Sequence, residues 1–472
     1  MRIDHKTNTN SRKKNRSKKA SDNNDFLSAF NNCVIKKENN ADVVVIGAGP
    51  AGLMAAIQAA RLGAYVMVLE KNDKPLKKLY ATGNGRCNFS NLNMDDKVYR
   101  GNNSDFAMKI VDYYDRNDLL LFFHELGMMT KHIGDYIYPY NEQARSVASV
   151  LLLECRRLGI DIICNEPAID IITRDVGFTV NAYEHKYHCL KVIVAPGGKA
   201  SPVHGSDGNF NNVLLSLGHH MISQQPALVP LGFVDSKLAE LAGVRVKCGV
   251  KLEVEGNIIS SEKGEIIFNK DNISGIPIMQ MSRYATTELV YNKSVAVHIN
   301  MFPDISVEEL AGFINTTFGG EFGIFDETIS GEEHINAKNT PLGRERNALE
   351  ALSLCLNEKL ARICLERASI IPKSLAGNVS TQQLNKLADV LSDFVVDIDK
   401  DAGFERAQVT AGGIPVDEIT DNMESRKVPG LYIIGEICDV DGTCGGYNLQ
   451  WAFSGGAVSG RAAVESIRST YL

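Results

Sequence analysis

The chain has 472 residues, 44% of them hydrophobic and 23% charged, and a net charge of −7 from 50 basic and 57 acidic side chains. That length exceeds one ordinary core and predicts two or three domains of a globular protein. The acidic balance disfavours a surface that coats nucleic acid, and no run of about eighteen apolar residues predicts a membrane span.

Residues 1–40 differ in composition from the rest of the chain. A basic run, Arg12 to Lys19, sits among Asn and Ser with little apolar content, which predicts a disordered, solvated tail. Without an apolar h-region the start does not read as a secretory signal. Ten cysteines (Cys33, Cys87, Cys155, Cys164, Cys189, Cys248, Cys355, Cys364, Cys438, Cys444) form no CxxC pair and no zinc-spaced cluster, so no metal site is predicted. Their scatter suits a reducing cytoplasm.

Asp42 to Glu70 carries the first strong signal. Asp42–Ile46 is β-branched and apolar, as in a strand buried on both faces. Gly47-Ala48-Gly49-Pro50-Ala51-Gly52 comes next, and from Leu53 the apolar residues fall at helical spacing up to Gly63. Ala64–Leu69 then reads as a second strand closing on Glu70. Gly47 suits the tight turn, Gly49 the approach of a pyrophosphate, and Gly52 close helix–strand packing. The free N–H groups at the helix start face phosphate, and Glu70, 18 residues past Gly52, can accept ribose hydroxyls. A lone GxGxxG is weak evidence, but strand, motif, helix, strand and acid in one unit predict a dinucleotide. The motif does not separate NAD from FAD.

After Lys71 comes a loop containing Thr82, Gly83, Asn84, Gly85, Arg86, Cys87 and Asn88, with Ser90 and Asn91 beyond; glycines beside an arginine favour ligand contact. Residues 104–127 read as helical, Tyr136, Tyr138 and Tyr140 alternate as on a strand, and Val147 to Leu158 form a helical stripe. Ala168–Thr173, Gly177–Ala182 and Leu190–Val194 predict a meander inserted into the dinucleotide domain. His219 and His220 lack obvious metal partners, which points to a packed or hydrogen-bonded role.

From Pro226 strands dominate: Leu228–Phe233, Val244–Glu255, Ile258–Ser260, Glu265–Phe268 and Ser294–Ile299, a small antiparallel barrel or sandwich. Residues 305–317 and 344–391 have helical periodicity, and Phe394–Ile398 and Gln408–Thr410 return as strands. The expected organisation is a tail at 1–40, a discontinuous Rossmann-like FAD-binding domain at 41–225 and 407–472, a barrel substrate domain at 226–304 and 393–406, and a helical subdomain at 305–392.

The closing segment supplies the second constellation. Gly430–Ile434 reads as a buried strand, followed by Gly435-Glu436 and then Asp439. Gly442 to Gln450, with Gly445, Gly446, Tyr447, Asn448 and Leu449, leads into a helix from Trp451. An acid there can accept ribityl hydroxyls, while a helix start offers N–H donors to the flavin edge that gathers negative charge. Such a helix end contributes roughly 0.3–2 kcal/mol, enough to tune a potential.

These motifs, above all Gly85-Arg-Cys-Asn88 and Gly435-Glu436 through Gly446-Tyr-Asn-Leu-Gln-Trp451, resemble those of the BaiN/RdsA-type flavoproteins, bacterial FAD-dependent oxidoreductases. The resemblance also covers Val45–Gly52, Thr82–Asn91, Ala195–Gly208, Pro226–Leu231, Gly264–Ser282, Thr410–Gly413 and Gly430–Gly460. It implies FAD held at Gly47, Gly49, Gly52, Glu70, Gly85–Asn88, Gly435, Glu436, Asp439 and Gly446–Leu449, with Ala48, Pro50, Ala51, Lys71, Thr82, Gly83 and Gly445 in the same turns. It further implies that the insert covers the flavin and forms the substrate pocket. Three positions depart from the family's pattern: Pro196 where threonine is usual, Asn84 where the loop is richer in glycine, and Asn269-Lys270 where a Thr-His pair is usual. The third bears on substrate identity.

Among family members some resemble reductases of steroid-like enones. The leading expectation is therefore an FAD oxidoreductase acting on a small organic molecule, its most specific form being C=C reduction fed by NADH or NADPH. No second GxGxxG lies between the flavin segments, so a nicotinamide would bind transiently. Cys438 and Cys444 do not match a dithiol-reductase pair, and Cys87 is as well explained by packing. No acid or base is identified; Tyr447 and Arg86 stand only as polar neighbours of the ring and candidate catalytic residues. Two alternatives are an amine or amino-ketone oxidase using oxygen, and a flavin-binding RNA-associated protein working through the basic tail.

Overall fold

A computed structural model describes residues 39–319 and 346–471. The basic run Arg12–Lys19, Cys33 and the first residues of the 344–391 stretch lie outside the described residues. The described residues divide into two units: 39–198, 204–222 and 413–471 in the first, and 199–203, 223–319 and 346–412 in the second.

In chain order the first unit supplies β1 (Asn40–Ile46), α1 (Pro50–Arg61), β2 (Val66–Leu69), β3 (Asp161–Ile163), β4 (Ala168–Thr173), β5 (Phe178–Ala182) and β6 (Lys186–Val194). The second supplies β7 (Leu231–Phe233), β8 (Arg245–Val254), β9 (Asn257–Phe268), β10 (Asn272–Ser274), α2 (Ile276–Leu289), β11 (Val295–Asn300), α3 (Val307–Thr317), α4 (Glu358–Arg367), α5 (Thr381–Ser392) and β12 (Phe394–Asp401). The chain then returns to the first unit with β13 (Leu431–Ile433) and α6 (Tyr447–Tyr471).

The first unit is a Rossmann-like α/β domain. Its sheet runs β3-β2-β1-β6-β5-β4, and β13 also pairs with β6. β1 is parallel to both β2 and β6, in register Val45↔Val68 and Val45↔Ile193. β6 changes partner along its length: Lys186–Cys189 pair antiparallel with β5, and Val192–Val194 pair parallel with β13. The expected meander is therefore a continuation of the nucleotide sheet, because β6 is long enough to serve both. Val43, Val44 and Val45 are fully buried, as a strand covered on both faces requires. α1 begins with Pro50 in its first turn, where a missing N–H costs nothing, and ends ahead of Gly63 at φ +90°.

The second unit holds a closed antiparallel barrel, β7-β10-β9-β8-β11-β12, with helices packed on the same core. Two expectations change here. Ile258–Ser260 and Glu265–Phe268 are parts of one twelve-residue strand, β9. Its polar middle reads like a turn in sequence, yet it pairs residue by residue with β8. α2 has no counterpart among the elements expected from sequence. Gly275 caps its start, and Pro277 lies in its first turn. The buried stripe Ile278, Met281, Ser282, Ala285 and Thr286 includes two hydroxyls, whose bonds to Met279 O and Pro226 O make them compatible with burial.

Candidate functional site

The first glycine turn is built by steric necessity. Gly47 has φ +101°, and a Cβ there would collide with the carbonyl oxygen of Ala195 on the neighbouring β6 connection. A Cβ on Gly52 would run into the carbonyl of Gly47. Gly49 is different: nothing lies within 4 Å of where its Cβ would be, so the start of α1 is open to an incoming group. Ala48 and Ala51 are buried beside it.

Glu70, at the end of β2, is buried and turned back onto this loop. One oxygen accepts the Ala48 N–H at 2.9 Å, and the other accepts both the backbone and side-chain N–H of Asn72 at 2.8 Å. Three acceptor positions are used; a carboxylate has about four. Asn72 was not visible as a partner in the sequence, although an amide two residues beyond an acid is the pattern of a local cap. Lys71 pairs with Asp207 at 2.6 Å, and Asn72 abuts Gly205, so the 204–208 turn closes over the end of β2.

The loop after the short helix Lys77–Ala81 is conformationally unusual. Gly83, Asn84, Gly85 and Cys87 all have φ between +54° and +84°. Asparagine is the non-glycine residue best suited to that region, which explains how Asn84 is accommodated in a loop that the resemblance expects to be richer in glycine. Thr82 donates its hydroxyl to Leu79 O at 2.6 Å. Arg86 ion-pairs with Glu142 and lies over the Tyr138 ring. Cys87 is fully buried, and burial pushes its thiol up to about 12, outweighing a hydrogen bond with Thr82; that is the state of a packed, inert cysteine.

This loop meets the second constellation. Ser90 Oγ donates to Gln450 at 2.6 Å and Asn91 Nδ2 to the Gly445 carbonyl at 2.9 Å. Gly446, at φ +91°, packs so closely on Asn88 and the Ser90 backbone that a Cβ would strike both. Asn88 Oδ1 is buried there without a hydrogen-bond partner among the described residues. An orphaned acceptor costs about 1–3 kcal/mol, so a donor is expected to complete it.

The closing segment also reaches α1. Gly435 is at φ +78°, with its Cβ position 3.1 Å from Ala51 Cβ, and its carbonyl accepts the Trp451 indole N–H at 3.0 Å. Glu436 pairs with Lys78 at 2.5 Å. Asp439, buried, accepts the Asn102 N–H at 2.8 Å. Asn448 clamps Gly442 by bonds to both its N–H and its carbonyl, each 2.8 Å, and Leu449 is half-buried. Tyr447 is buried and donates its hydroxyl to Asn93 O at 2.9 Å; burial, aided by Tyr136 and nearby aspartates, pushes its phenol up to about 12.

α6 and α1 run in the same direction, Gly456 against Ala51 and Gly460 against Ala55, so close that a Cβ on either glycine would meet backbone. Gly456 is nine residues into α6. Ala51 is one residue into α1, so the start of α6 projects about 12 Å beyond the level of the start of α1. Two helix N-termini, each beside a glycine turn, thus belong to one continuous core.

His219 and His220, as expected, are hydrogen-bonded. Both reach Glu418, at 2.7 and 2.5 Å, and His219 also contacts Ser425 at 2.9 Å.

Residues 41–462 match the family model described as HI0933-like protein Rossmann domain. The chain belongs to that family. It is the flavoprotein oxidoreductase family that the motifs resemble. The chain is 34% identical to a 3-dehydro-bile acid delta(4,6)-reductase of Clostridium scindens over 89% of its own length and 98% of that protein. It is 27% identical to a ribosomal RNA dihydrouridine synthase of Escherichia coli, over 88% and 95% respectively. Among solved structures, a 3-ketosteroid-delta4-(5alpha)-dehydrogenase from Rhodococcus jostii RHA1 aligns over 92% of this chain and 98% of that one, at 16% identity and a TM-score of 0.43, too slight a likeness to carry an argument. Among the described residues no helix is long and apolar enough to cross a membrane.

Proposed function

We propose that the chain is an FAD-dependent reductase, recharged by transiently bound NADH or NADPH, that saturates a carbon–carbon double bond conjugated to a carbonyl in a small organic substrate. The observation that carries the cofactor is the packing of α6 on α1, which sets two helix starts about 12 Å apart along one direction. That spacing suits an extended dinucleotide with its pyrophosphate at one end and its ring at the other. The residues present fit such a group: Gly49 is open, and Asn88 Oδ1 lacks a donor.

Bound FAD would supply the hydride chemistry. The chain's own groups bind and orient. The first N–H groups of α1 take the pyrophosphate. Glu70, fixed by Ala48 and Asn72, offers its remaining lone pair to a ribose hydroxyl. Asn88 and the Gly445–Gly446 backbone would hold the ring, and Glu436, Asp439, Asn448 and Leu449 would hold the chain that joins it to the phosphates. The start of α6 favours negative charge on the ring. Tyr447 and Arg86 are assigned to holding this loop, since the phenol already donates to Asn93 and the guanidinium is paired with Glu142.

Both relatives' names describe removal of a double bond, a 3-dehydro-bile acid delta(4,6)-reductase and a ribosomal RNA dihydrouridine synthase. They support C=C reduction and give two substrate classes. The higher identity favours the steroid-like enone; a uridine in RNA is the second reading. The test is anaerobic mixing of the purified protein. Bleaching by NADH or NADPH, then recolouring by a steroid 4-en-3-one, is the expected result. Recolouring only by RNA would select the second reading. Bleaching by an amine alone, with indifference to nicotinamides, would replace both with an oxidase.

A further inference from the structure

A second cluster of ligating groups lies where β3, β5 and β6 meet their connections. Glu166 comes after β3, and Glu184 and His185 form the turn between β5 and β6. One ligand atom from each lies within 4.8 Å of the others. Glu166 is 3% exposed, and among the described residues no lysine or arginine pairs with it. Its one ionic neighbour is His185 Nδ1 at 3.5 Å, too long for a good hydrogen bond, and that nitrogen is itself buried without a hydrogen-bond partner. Two backbone N–H groups donate to this carboxylate, but among the described residues no cation other than a protonated His185 could balance its charge, which leaves room for a metal ion.

An independent feature points into the same place. Tyr187 is fully buried and its hydroxyl makes no well-formed hydrogen bond, although its ring packs edge-on to His185 at 6.2 Å. That hydroxyl is available to bond a metal-bound water or a ligating carboxylate.

We propose that Glu166, Glu184 and His185 bind one divalent transition-metal ion, with Zn2+ the best fit. One imidazole and two carboxylates suit zinc; Mg2+ and Ca2+ prefer oxygen alone. Glu166 is the fixed ligand, its oxygen held by the Glu184 and His185 N–H groups at 3.3 and 3.1 Å. Glu184 is exposed and His185 half-exposed, so both can close on the ion. The ion would pin the β5–β6 turn to the segment after β3, whose Glu166 N–H donates to Glu70 O at 3.0 Å.

The test is calorimetric titration of the chelator-treated full chain with Zn2+, alongside its thermal midpoint. Wild type is expected to take up one Zn2+ per chain and to melt higher as Zn2+ is added. His185→Ala and Glu184→Gln, both at an accessible turn, should lose uptake and shift while keeping the circular-dichroism spectrum of wild type. Co2+ substitution should give a spectrum without thiolate charge transfer. No uptake by wild type, unchanged uptake by both variants, or a cysteine-bound Co2+ spectrum would each overturn the site.

Discussion

At the scale of single residues, the same atom often serves two masters. Asn88 Oδ1 has no hydrogen-bond partner among the described residues, so a bound group can complete it. Asn88→Ala should therefore weaken FAD retention by about 1–3 kcal/mol, read from flavin titration, while the melting temperature of the flavin-free protein changes little. Gly52 is stricter. Its Cβ would meet the Gly47 carbonyl, a backbone atom that cannot rotate away. Gly52→Ala should lower stability by about 1–3 kcal/mol and yield protein depleted of flavin, measured by denaturant unfolding and by absorbance. These residues were legible because glycine and acid at fixed spacing have few other uses. Asn72, which fixes Glu70, was not, since an asparagine two residues on looks like any turn.

Elements show where sequence reasoning stops. α1 and its two strands announce themselves by period, whereas α2 hides because Ser282 and Thr286 sit on its buried face and only their distant partners explain them. The pairing of α6 with α1 rests on Gly456 and Gly460, small residues whose meaning appears only when Ala51 and Ala55 are opposite. Gly460→Val should destabilise by about 3 kcal/mol, the upper end for overpacking, and release flavin with the loss of fold. A second tie joins the segment after Gly218 to that around Glu418. Burial raises the Glu418 carboxyl, but hydrogen bonds from Lys427, His220 and His219 outweigh it and bring it from 4.5 to about 2. Burial holds His219 below its usual 6.5 despite Glu418. Both folded values lie below the unfolded ones, so both contributions are present at neutral pH and fade as pH falls, first below 6.5 and then from 4.5 toward 2. The thermal midpoint should fall along that limb, and Glu418→Gln should flatten its lower part. A midpoint that rises on acidification would contradict the assignment.

For the whole molecule, a Rossmann-like domain with an antiparallel barrel and helices was readable from the alternation of motifs. Strand partners such as β6, which serves β5 and β13 in turn, were not, since pairing is decided across many residues of intervening chain. The central claim is that two segments nearly four hundred residues apart, Gly47–Gly52 and Gly435–Leu449, grip one FAD. The flavin content of the purified full chain tests it most directly, by absorbance of the cofactor released on denaturation. One FAD per chain, restored when stripped protein is incubated with FAD, is the predicted result. A colourless protein that stays colourless after that incubation would contradict it.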